Sequence, residues 1–131
     1  MIRYYKLFVK DILDAIDKIE EFVGNMDYGE FMKDDKSSTA VVKKIEIIGE
    51  AIKNIPRDVR VKYKAIPWKD IVGMRNKITH NYFKIDYEIV WNVVKEKLPA
   101  LKIQIEQVLK EMDEKHELKL LKFSHDDIKK K

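Results

Sequence analysis

From residue 2 to 23, apolar side chains recur at Tyr5, Phe8, Val9, Ile12, Ile16, Ile19 and Val23. Lys6, Lys10, Asp14, Asp17 and Glu21 fall between them. Recurrence at three and four residues is the mark of a helix with one apolar face, and it predicts a helix over 2–23 that ends at Gly24-Asn25. Residues 26–36 carry Tyr28, Phe31 and Met32 and fit either a short helix or a loop. A second stripe, Val41, Ile45, Ile48, Ile52 and Ile55, predicts another long helix. Ser37, Ser38 and Thr39 are its candidate N-caps, and Asn54-Ile55-Pro56 is its stop. Residues 57–67 fit one short turn of helix. A third clear helix begins near Pro67-Trp68 and runs through Ile71, Val72 and Ile78 toward His80. Asp86 then caps a helix with Ile89, Val90, Val93 and Val94 inside, and Pro99 suits the first turn of a last one over 99–113.

No segment alternates with a period of two, and no internal repeat occurs, so the pattern predicts an all-α bundle of four or five antiparallel helices. Only four glycines and three prolines interrupt 131 residues, which agrees with few turns and long helices. The division expected is a helical domain over 1–113 and a charged tail over 114–131. The tail has one apolar cluster, Leu118, Leu120, Leu121 and Phe123, before its terminal lysines. It fits a frayed extension or a partner-docking segment.

Composition narrows the chemistry. Without cysteine there are no disulfides and no thiolate metal sites, which fits a reducing cytoplasm. No apolar run approaches the roughly 20 residues that span a bilayer. Asp11 and Asp14 interrupt the N-terminal stretch where a secretory signal would be unbroken, so a soluble, cytoplasmic chain is expected. The formal charge of +4 permits a polyanion such as RNA as partner. The three histidines, at 80, 116 and 125, form neither His-x-x-x-His nor Glu-x-x-His, and no glycine-rich phosphate loop is present. Neither metal nor cofactor is expected.

The stretch Arg75-Asn76-Lys77-Ile78-Thr79-His80-Asn81-Tyr82 stands out, because only four of the 27 Lys+Arg residues are arginine. A guanidinium matches a phosphate and the charge that develops on it, and imidazole exchanges protons near neutral pH. Together they suit phosphodiester chemistry without metal. At about 100° per residue, Arg75 and Tyr82 point within roughly 20° of each other and Asn76 shares a face with His80. Arg75 and His80 diverge by roughly 140°. A straight helix does not assemble the site. A helix end or a second copy of the helix across a symmetric dimer would. Spacing alone favours a structural arrangement, with Arg75 paired to an acid, His80 capping a helix end and Tyr82 packed.

The wider run IPWKDIVGMRNKITHNYFKIDYEIVWNVVKEKLPAL resembles the signature region of the HEPN superfamily, in its HepT-like branch of prokaryotic toxins. The pattern Arg-x(4–6)-His-x-Tyr is met by Arg75, His80 and Tyr82. Trp68, Met74-Arg75-Asn76, Val90-Trp91, Leu98-Pro99 and Leu101 flank it in order, and EIIGEAI (46–52) is similar to the family's second long helix. The likeness covers about residues 1–112. It implies a helical bundle that forms a homodimer, with two motifs lining a shared cleft. It implies metal-independent RNA cleavage in which a ribose 2′-hydroxyl attacks its own phosphate, with Arg75 and His80 catalytic and Asn76 supporting. It further implies a cognate minimal nucleotidyltransferase antitoxin that silences the toxin by transferring AMP to Tyr82, which otherwise supports the site. The alternative is a non-catalytic HEPN module that binds nucleotide or a partner protein.

Overall fold

The structure, a computed structural model, describes residues 2–78 and 85–129, with side chains described for 5–78 and 85–115. It is an all-α bundle: α1 (Ile2–Val23), α2 (Tyr28–Lys33), α3 (Asp35–Lys53), α4 (Arg57–Lys62), α5 (Trp68–Ile78), α6 (Tyr87–Asn92) and α7 (Leu98–Lys129). A π-helical segment, Val93–Lys97, joins α6 to α7 without a break. Four long helical runs therefore make the bundle, with α2 and α4 as short connectors.

The apolar stripes become the core. Val9, Ile12, Ile16 and Ile19 of α1, Val41, Ile45, Ile48 and Ile52 of α3, and Ile105 and Val108 of α7 are buried together. α1 packs against both α3 and α7, and α3 packs against α5. Gly24 ends α1 with a positive φ of 50°, a conformation that costs glycine little.

The start of α3 corrects the expected caps. Its N-cap is Asp34, whose carboxylate accepts from the Ser37 amide at 2.9 Å and the Ser37 hydroxyl at 3.1 Å. Ser37, Ser38 and Thr39 therefore lie inside the helix. The chain turns earlier because residues 26–36 hold a helix of their own. In α2, Asp27 caps the Glu30 amide at 2.8 Å and the Glu30 side chain accepts from the Asp27 amide at 3.2 Å. Phe31 of α2 is fully buried, against Trp91 of α6 with ring centroids 5.2 Å apart.

Pro99 does fall in the first turn of α7, but no gap separates that helix from α6. A proline inside a helix lacks a donor and crowds the carbonyl four residues earlier. Just before Pro99 the backbone widens, and the Leu98 amide donates to the Val93 carbonyl, five residues back. The π turn lets one helical run pass the proline. The run continues past residue 113 to Lys129.

Candidate active site

α5 is fixed at its start by Trp68, whose indole Nε1 donates to the carbonyls of Arg60 at 3.1 Å and Tyr63 at 3.2 Å. Ile71 and Ile78 bury one stripe of the helix. Arg75 lies four residues after Ile71 and three before Ile78, so it belongs to the same inward stripe. It stands where an apolar residue would ordinarily pack, and its side chain is only 25% exposed. A cation so placed needs a partner.

The partner comes from α3. Arg75 Nη2 donates to Glu50 Oε1 at 3.0 Å, and Nη1 donates to Asn76 Oδ1 at 3.2 Å. Glu50 also lies 3.6 Å from Lys53 Nζ. The Arg75 stem crosses α3 at Gly49, where an added Cβ would sit 3.0 Å from Arg75 Cγ and 3.2 Å from Cδ. Glycine within a helix costs about 0.5–1 kcal/mol relative to alanine, and at this position it makes room for the arginine.

Beside this contact runs a groove of about 240 Å³ between α1 and α3, with Arg75 at its wall. Asp11, Glu46, Glu50, Lys43 and Arg75 are among the residues that line it. Among the described residues, three carboxylates against two cations do not favour an RNA phosphate, so the groove itself is a poor candidate for the substrate cleft.

Of the expected site residues, the structure places Arg75 and Asn76, whose side chains share the 3.2 Å hydrogen bond above. His80 and Tyr82 lie outside the described residues. α5 is described as far as Ile78, and the described chain resumes at Ile85 and Asp86, whose carboxylate accepts from the Glu88 and Ile89 amides and caps α6 as expected. Among the described residues no group of three or more His, Cys, Asp or Glu side chains could hold a metal ion, and no helix is long and apolar enough to cross a membrane.

Comparison with known proteins fixes the family. The family model described as ribonuclease HepT-like matches residues 12–108, a span that includes Gly49, Glu50 and the whole Arg75–Tyr82 stretch. The chain belongs to the HepT-like ribonuclease family. It is 42% identical over 110 residues to a protein of Thermococcus cleftensis named "Probable ribonuclease HepT", covering 84% of this chain and 100% of that one. It is 43% identical over 113 residues to a Methanocaldococcus jannaschii protein named provisionally as an RNase, covering 86% of this chain and 97% of that one. A second such protein of the same organism is 44% identical over 115 residues, 88% of this chain and 95% of its own. No solved structure matches. HepT-like membership supports ribonuclease activity, and RNA as its substrate, for this chain.

The sequence singles out Arg75 and Asn76 but gives no role to Gly49 or Glu50. One signal was available. A glycine in mid-helix, between the stripe residues Ile48 and Ile52, marks close approach by something else.

Proposed function

We propose that this HepT-like chain is a metal-independent ribonuclease toxin, held inactive by AMP placed on Tyr82 by a partner minimal nucleotidyltransferase. The observation that carries the nuclease reading is the guanidinium of Arg75, kept on the inward stripe of α5 at the cost of an apolar contact and tethered at 3.0 Å to Glu50. Arginine there gives a flat, permanently charged fork for a scissile phosphate. In the proposed reaction His80 takes the proton from a ribose 2′-hydroxyl, and the resulting oxygen attacks the adjacent phosphorus. Arg75 neutralises the charge that develops on the phosphoryl oxygens, and the 5′-oxygen of the next nucleotide leaves, taking a proton from water. The products are a 2′,3′-cyclic phosphate and a 5′-hydroxyl.

The control step is an attack by the Tyr82 hydroxyl on the α-phosphorus of ATP, with loss of pyrophosphate. The attached AMP brings bulk and negative charge to where RNA must bind, and competes for Arg75. The Glu50–Arg75 ion pair is also what a purely structural arginine would display, which keeps the non-catalytic binding module as the second reading. The purified protein decides between them. Wild type is expected to cut RNA in excess EDTA and to leave cyclic phosphate ends, while Arg75→Ala and His80→Ala are inert and folded. Cleavage by both variants at the wild-type rate would remove the nuclease assignment from these residues. Co-expression with the nucleotidyltransferase is expected to add whole AMP units at Tyr82 and silence cleavage, and AMP on another tyrosine would refute the control step.

A further inference from the structure

We propose that Gly49 and Glu50 of α3 are positioning residues that seat Arg75 for its work on the phosphate, a role that rests on the ribonuclease reading. Three observations converge. Arg75 points inward, onto α3, rather than into solvent. Its stem lies so close to Gly49 that a Cβ there would come within 3.0 Å of Cγ, 3.2 Å of Cδ and 3.3 Å of Cβ. Ordinary van der Waals contact needs more room than that. Because Arg75 Cβ is fixed by the α5 backbone, alanine at 49 requires the arginine stem or the helix spacing to give by a few tenths of an ångström. Gly73 offers the contrast on Arg75's own helix, where an added Cβ meets nothing within 4 Å among the described residues.

The third observation is the carboxylate. Glu50 is next to Gly49 on α3 and holds Nη2 at 3.0 Å, so stem and head of the same arginine are fixed by adjacent residues. Glu50 is more than half exposed, and an exposed ion pair of this kind adds little to stability. What it can add is direction. A long side chain with many rotamers loses freedom when its head is tethered, and a guanidinium already held in one place has less to lose when it meets the phosphate. Neither residue touches the reacting atoms in this scheme, and both act through Arg75.

The test measures cleavage of a single-stranded RNA by wild type, Gly49→Ala, Glu50→Gln and Glu50→Asp. On the same ¹⁵N-labelled samples, NMR follows the arginine Nε–H signals. The chain has only four arginines, Arg3, Arg57, Arg60 and Arg75, and the Arg75 signal is the one lost in Arg75→Lys. Gly49→Ala and Glu50→Gln are expected to shift that signal and to speed rotation of the guanidinium. They are expected to lower kcat roughly tenfold to a hundredfold and to leave KM within about twofold. Glu50→Asp, which keeps the charge on a shorter arm, is expected to recover part of both. Wild-type kcat in Gly49→Ala and Glu50→Gln overturns the proposal, as does a fall in kcat with the Arg75 signal unmoved. Faster cleavage by Glu50→Gln also overturns it, because Glu50 would then be competing with the phosphate. If the wild-type protein cuts no RNA while the Arg75 signal still responds to both variants, the seat stands and the nuclease reading falls.

Discussion

Arg75 occupies a place that packing alone would assign to an aliphatic side chain, and this sets its effect on stability against its effect on function. Replacing a partly buried charge by an apolar side chain of similar length is often neutral or stabilising. Its partner Glu50 is exposed enough to be hydrated when the arginine is gone. Arg75→Met is therefore expected to unfold at the same temperature as wild type or higher, and to have no RNA-cleaving activity. Thermal melts beside a cleavage assay check both halves, and a clear loss of stability would show that the ion pair holds the bundle together. Arg75→Lys is expected to fail nearly as badly in cleavage, because a point charge does not reproduce the fork that meets a phosphate. The sequence flagged this residue by composition. It did not show Glu50, because periodicity relates residues within one helix and this partner is 25 positions away on another.

Among the elements, the connector α2 bears on how α3 and α6 are held. Phe31 is the one buried side chain of six-residue α2, and it fills the space against Trp91. Phe31→Ala is expected to cost about 3–5 kcal/mol, measured by chemical denaturation, while Tyr28→Ala, at a half-exposed ring 6.0 Å from Trp91, is expected to cost much less. Equal effects would mean that α2 is held by its rim rather than by its core residue. At the α3 start, the Ser37 amide and hydroxyl hold the Asp34 carboxyl below its ordinary value. A lowered carboxyl contributes stability that is whole above about pH 4 and is lost as the pH falls through the folded value. Asp34→Asn keeps an acceptor but does not titrate, so its unfolding free energy is expected to fall less steeply than that of wild type below pH 4. These elements also mark what the pattern could tell. The stripes of α1 and α3 were legible because burial imposes a helical period. The first residue of α3 was not, because serines in a first turn look like caps until the Asp34 carboxylate is seen to take the Ser37 amide. The π turn was not legible either, since a proline in sequence reads as a helix start whether or not the helix before it stops.

At the level of the whole molecule, the arrangement around Arg75 argues for a second copy. The groove on the α1–α3 side of Arg75 is rich in carboxylates and does not suit RNA, so the phosphate is expected to approach from another side. On one straight helix, Arg75 and His80 diverge by roughly 140°. A shared cleft at a two-fold axis solves the problem if Arg75 of one protomer works with His80 of its partner. The expected species in solution has twice the 15.6 kDa mass of the chain, and light scattering at micromolar concentration measures it. A sharper check mixes two inert proteins, Arg75→Ala and His80→Ala, under conditions that exchange protomers. Random pairing makes half of the dimers mixed, and each mixed dimer has one cleft with both residues intact only if the cleft is built from both chains. Mixing is then expected to restore about a quarter of wild-type cleavage. If the protein is a dimer and mixing restores nothing, each chain carries its own Arg75–His80 pair. A monomer that still cuts RNA would refute the shared cleft altogether.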